Sequence, residues 1–348
     1  MQEVAKVKSV SGKLISFLVM QASGDIKGEE VVGTKGLKRV PRYIDILPRQ
    51  KVVKVEKKRV GDREITFLVK AYLPRVIIVE ASVDIDNFFD GRTQSIKGEI
   101  LDECHKVISE FKCDERFEEE YSIHCISNYE GNPEEIISNS RSQIASMLKN
   151  EISMLDNETV DQTLSIYLKY AKDDKAIFDW DGAFLFDSRG DFDSEIELLE
   201  IANIQLLKLR ILDDDLNHRL EKMTQLLHRR HGPVLFRSRE VRRIIGEIIM
   251  LRSDSILASE SIEREIRLIG DWYSARLYDI ISKKFFLEAW KSRIDKKLST
   301  LADVYTMASD NLSISLSSRL EFAMIVGWLV LLVGYFFLFY FEVVAVVK

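Results

Sequence analysis

The chain has 348 residues, 46% hydrophobic and 30% charged, a balance that excludes both a disordered chain and a polytopic membrane protein. The net charge of −6 hides an asymmetry: residues 1–75 hold 17 Lys and Arg against 8 Asp and Glu, so the other 273 residues carry −15. A basic quarter on an acidic chain is suited to phosphate or anionic headgroups.

In chain order, apolar and β-branched runs at residues 14–20, 52–55, 65–69 and 76–83 predict strands separated by Gly- and Pro-containing turns. Residues 14–20 are too short and too polar at Ser16 for a signal peptide. Residues 93–111 have near-helical apolar spacing (Ile96, Ile100, Leu101, Val107, Ile108), and 121–126 form a strand. Asn132-Pro133 is the N-cap and first-turn proline of a helix reaching about Leu148. Residues 164–170 alternate like a strand, and 176–186 form a hairpin turning at Asp181-Gly182. This order predicts a sheet with helices packed on it, an α/β domain of ferredoxin-like type over residues 1–190.

After Gly190 the pattern is helical. One helix runs from Asp193 to His228 and is stopped by His231-Gly232-Pro233. A second stretch starts near Ser238, and a third near Phe285 carries Ile294, Leu298, Leu301, Tyr305, Ala308 and Leu312 at 4-3-4-3-4 spacing, a heptad seam. Residues 191–320 are therefore a helical hairpin or coiled-coil stalk, its seam packed within the chain or against a second copy in a homo-oligomer. The chain as a whole is of α+β class.

Residues 322–341, FAMIVGWLVLLVGYFFLFYF, carry no charge. As a helix they span about 30 Å, the thickness of a bilayer's hydrocarbon core. Phe322, Trp328, Tyr335, Tyr340 and Phe341 are the expected anchor residues of a tail-anchored segment, 321–348. Arg293, Lys296, Lys297 and Arg319 precede the span and Lys348 follows it, which places the bulk of the chain in the cytoplasm or, in an organelle, the matrix.

Three readings of chemistry arise. The basic stretch 35–63 offers Lys35, Lys38, Arg39, Lys57, Lys58 and Arg59 to phosphate, of RNA or of acidic lipid, with a solvated surface as the plainer alternative. The segment IFDWDGAFLFDS (177–188) resembles the first motif of haloacid-dehalogenase-type phosphatases, which implies Asp179 as nucleophile, Asp181 as acid/base and Mg²⁺. Ala183 stands where that family has Thr or Ser, and no further strands follow to deliver its other motifs. Cys104-His105 and His124-Cys125 meet only if that helix packs on that strand, and neither pair has zinc-ligand spacing; His228 and His231 flank two arginines. No catalytic residue, metal, cofactor or small-molecule substrate is therefore expected. Three cysteines, with Cys113 the third, make a disulfide framework unlike this chain and favour a reducing compartment.

Residues 198–220 (LLEIANIQLLKLRILDDDLNHRL), 290–301 (WKSRIDKKLSTL) and Arg319-Leu320-Glu321 resemble the required-for-meiotic-nuclear-division family, domain of unknown function 155. The resemblance implies an inward-facing membrane protein that oligomerises and, in the mitochondrial branch, supports translation at the inner membrane. Residues 198–212, preceded by Asp179-Trp180, are also similar to a group of bacterial membrane-anchored proteins. The expectation is a non-enzymatic, membrane-anchored scaffold or tether with a protein or RNA partner. The alternatives are a membrane-tethered phosphohydrolase and an envelope protein acting through self-association.

Overall fold

The computed structural model describes residues 10–24, 26, 29–30, 50–72, 75–228, 243, 246, 250 and 272–346. They form strands β1 (Ser11–Ala22), β2 (Glu29–Glu30), β3 (Gln50–Val60), β4 (Arg63–Tyr72) and β5 (Val76–Ile85), then helix α1 (Thr93–Ile108) and strand β6 (Cys113–Asn128). Three short helices follow, α2 (Pro133–Asn139), α3 (Arg141–Leu148) and α4 (Asn157–Leu164), then β7 (Tyr167–Leu168), β8 (Asp174–Phe178) and β9 (Gly182–Asp187). Helices α5 (Asp193–His228), α6 (Trp272–Lys284) and α7 (Leu287–Val346) complete the described chain.

All nine strands join one sheet in the order β2-β3-β4-β5-β1-β6-β9-β8-β7. β1 is antiparallel to both β5 and β6, so those two run parallel with β1 between them and α1 as the crossover, a split β-α-β unit. The sheet widens on both sides of this unit, to nine strands. β9 pairs parallel with β6 and antiparallel with β8.

β1 explains the layering. From Leu14 to Met20 only Ser16 is polar, so apolar side chains leave both faces of the strand and both need cover. Leu14, Leu18 and Met20 enter a core with Ile96, Ile100 and Val107 of α1, Ile144 and Leu148 of α3, and Val160 and Leu164 of α4. Ile15, Phe17 and Val19 enter a second core with Leu198, Leu199, Ala202 and Leu206 of α5 and Leu277 and Ile281 of α6. The sheet's second face would be bare without the start of α5 and the whole of α6, and the first compact unit comprises Met1–Asp213 with Ile256–Arg293.

Local chemistry sets most boundaries. Asn132 caps α2, its side chain accepting from Glu134 N at 3.1 Å, with Pro133 in the first turn. The single helix expected to reach Leu148 is two, because Ser140 leaves helical geometry (φ −123°, ψ 23°). Residues 157–164 are helical, capped by Asp156, leaving only Tyr167–Leu168 of the alternating run as strand. β6 is longer than the apolar run 121–126, since its charged first half still pairs with β1 through Glu118, Glu119 and Glu120.

The second unit comprises Asp214–Ser255 and Ile294–Lys348. Within it Leu216 of α5 and Ile294, Leu298 and Leu301 of α7 are buried, so the first three seam positions are covered by the chain itself. The side chains of Tyr305, Ala308 and Leu312, and the stretch expected to be helical from Ser238 to Ile249 apart from positions 243 and 246, lie outside the described residues. Leu320–Leu338 of α7 is long and apolar enough to cross a membrane, and none of it is buried. Phe322, Trp328 and Tyr335 are exposed there; the side chains of Tyr340 and Phe341 lie outside those described.

Candidate functional site

On the α1 side of β6, every second residue from Glu118 to His124 is polar: Glu118, Glu120, Ser122 and His124. The other face carries Tyr121, Ile123 and Cys125 into the core beneath α5. A polar stripe under a helix is unusual, because each polar group must find a partner or cost free energy. Ser122 meets Ser16 of β1, hydroxyl to hydroxyl at 2.8 Å. His124 is fully buried, stacks on Phe184 at 4.2 Å and donates from Nδ1 to the Ala183 carbonyl at 3.1 Å. Burial, with help from the Lys97 charge, pushes its pKa down to about 3, so it is a neutral core histidine.

α1 answers the stripe with His105 and Lys97. His105 Nε2 lies 2.7 Å from Glu120, and Nδ1 lies 3.8 Å from Glu118. Lys97 is only 4% exposed, and burial lowers its pKa against the pull of Asp181 and Glu120. Residues eight apart on a helix share a face, which is why Lys97 and His105 both look onto β6.

The stripe ends at the β8–β9 turn, where Asp179 N donates to Gly182 O at 2.8 Å. Asp179 is 2% exposed; its carboxylate lies 2.5 Å from Lys284 Nζ and 3.1 Å from Lys149 Nζ, and its carbonyl accepts from Tyr121 Oη at 3.1 Å. The turn is thus tied to the ends of α3 and α6. Burial raises the pKa of neighbouring Asp181. In the phosphatase arrangement both carboxylates stand at the C-terminal edge of a parallel sheet. Here they precede β9, at the N-terminal end of its parallel pairing with β6, and Asp179 is already held by two lysines.

At the opposite edge, the start of α5 and of α6 border a cavity of about 240 Å³ lined by Asp174, Asp187, Asp191, Glu195, Tyr170 and Tyr273 among others. Burial raises Glu195 to about 7, while a hydrogen bond from Tyr273 opposes the shift.

The basic residues expected to meet a partner are partly neutralised within the chain. Lys57 reaches Glu64 at 3.4 Å, and Lys58 reaches Glu56 at 3.9 Å while lying 5.7 Å from the Phe67 ring centre. Arg59 is exposed on β3; Lys35, Lys38 and Arg39 lie outside the described residues, as do His231 and the side chain of His228. α1 does pack on β6, but it does not gather the cysteines. Cys104 faces one core and Cys125 the other, and burial raises both thiols, Cys104 to about 12. Glu118, Glu120 and Lys97 were not singled out by sequence reasoning. The available signal was polar alternation from Glu118 to His124, next to a helix carrying Lys97 and His105 on one side.

Residues 11–193 match the family model described as the N-terminal domain of the uncharacterized protein MJ0711. The chain belongs to the MJ0711 N-terminal-domain family. The match opens with the first residue of β1 and closes with the first of α5, so the family domain is the sheet with α1 to α4. The MJ0711 protein of Methanocaldococcus jannaschii is 28% identical over 304 residues, covering 87% of this chain and 90% of that protein. No solved structure matches. The residues resembling domain of unknown function 155 lie beyond the matched family domain.

Proposed function

We propose that this member of the MJ0711 family is a membrane-anchored, non-enzymatic scaffold whose α/β body faces the cytoplasm and receives a macromolecular partner. One observation carries the reading: Leu320–Leu338 presents apolar side chains with no cover from the chain, and hydrocarbon is the solvent that removes their cost. The basic residues Arg293, Lys296, Lys297 and Arg319 ahead of the span support the cytoplasmic orientation. The exposed Arg59 and the basic stretch around it support contact with a phosphate-rich partner such as RNA. Ionic occupation of the Asp179 carboxylate by Lys149 and Lys284 supports a structural role for that turn.

Flotation on a density gradient tests the anchor. The full chain is expected to rise with vesicles after an alkaline carbonate wash, and a chain ending at residue 319 to stay at the bottom. Full-length protein that stays soluble without detergent overturns the proposal. Salt-dependent co-sedimentation with RNA, lost in Lys57→Glu/Arg59→Glu, tests the partner.

A further inference from the structure

His105, Glu118 and Glu120 stand together: Nε2 of the ring lies 2.7 Å from Glu120 and Nδ1 3.8 Å from Glu118, and a ring nitrogen and two carboxylate oxygens all lie within 4.8 Å of one another. We propose that these three side chains bind one first-row divalent cation of the Zn²⁺ type.

The geometry is close to what such an ion requires. Ligands at about 2.0–2.2 Å in a tetrahedron stand about 3.4 Å from each other. The three side chains are 38% to 43% exposed, so small rotations about their outer bonds bring them to that spacing. Their backbones are fixed. Glu118 and Glu120 are successive same-face positions on β6, held by the ladder to β1 opposite Met20 and Leu18. His105 arrives from the last turn of α1, where the helix dipole presents its negative end and favours a cation.

Charge points the same way. A divalent ion with a neutral imidazole balances the two carboxylates, of which Glu120 also acts on the Lys97 ammonium. Lys106, the next residue after His105, turns to Glu103 at 2.6 Å and supplies no balance. The donor set also selects the ion. Imidazole nitrogen with carboxylate oxygen suits Zn²⁺ and its first-row neighbours, while Mg²⁺ and Ca²⁺ prefer oxygen alone. Partial exposure leaves the remaining coordination positions to water, as in sites with three protein ligands.

The test uses the full chain in detergent, stripped of metal with a chelator and titrated with Zn²⁺ by calorimetry, with Co²⁺ as a visible-absorption probe. The parent is expected to bind one more equivalent of Zn²⁺ than His105→Ala or Glu118→Gln/Glu120→Gln, or to bind it at least about tenfold more tightly. The Co²⁺ absorption bands should fade in both variants and persist in Glu64→Gln, a surface change on β4. Ca²⁺ should not compete. Zn²⁺ uptake equal in the parent and both variants, or no uptake by the parent, overturns the proposal, and far-UV circular dichroism confirms that the variants compared are folded.

Discussion

The Lys70 ammonium of β4 lies 2.8 Å from the Glu200 carboxylate of α5, both withdrawn from water at the interface between sheet and helix. Glu80 approaches the same lysine at 2.5 Å, and Tyr72 donates to Glu200 at 2.9 Å. Burial works to discharge Lys70, but Glu200 and Glu80 outweigh it and hold the ammonium above its ordinary pKa. This network locks α5 in register on a surface that is otherwise apolar and free to slide.

Breaking it one-sidedly should be costly. Glu200→Leu leaves Lys70 with half its compensation, and a loss of about 3–5 kcal/mol is expected in denaturant unfolding. Lys70→Met/Glu200→Leu should recover much of that loss, because an apolar pair removes the stranded charge.

Asp179→Asn should destabilise by about 3 kcal/mol, since Lys149 and Lys284 then face an amide rather than a carboxylate. Thermal unfolding reads this directly. A catalytic aspartate would behave differently: turnover of a phosphoester would vanish with stability unchanged.

Glu195 gives a pH signature. Its folded pKa of about 7 lies above the ordinary 4.5, so the native state favours the protonated form. Its contribution to stability is therefore full below about pH 4.5, declines as pH rises to about 7, and is then lost. Full loss is worth about 3 kcal/mol. Comparing Glu195→Gln with the parent across pH isolates it: the parent should lose stability relative to the variant over that window.

Gly12 sits where a Cβ would lie 2.0 Å from the Cys125 carbonyl oxygen, at the bulge where β1 meets β6. Gly12→Ala must push the two strands apart, and a cost of about 3 kcal/mol is expected from chemical denaturation.

Thiol labelling should separate the cysteines. Burial raises all three thiols, but Cys104 and Cys125 are closed off while Cys113 is partly open. A maleimide should modify Cys113 first in the native protein and all three after denaturation, as mass spectrometry would show.

What the sequence determined by itself is local. The start of α5 at Asp193, the Asn132-Pro133 helix start, the 176–186 hairpin and the uncharged run 322–341, most of which falls within Leu320–Leu338, were all legible. Each depends on residues a few positions apart, through periodicity, capping or unbroken hydrophobicity. The strand order, the return of α6 to the sheet's second face, and the meeting of His105 with Glu118 and Glu120 were decided only by tertiary structure. The physical reason is that burial rewards any apolar face equally. It tells each strand that both sides must be covered, but not which helix will do so, nor which polar side chains that helix will carry against its neighbours.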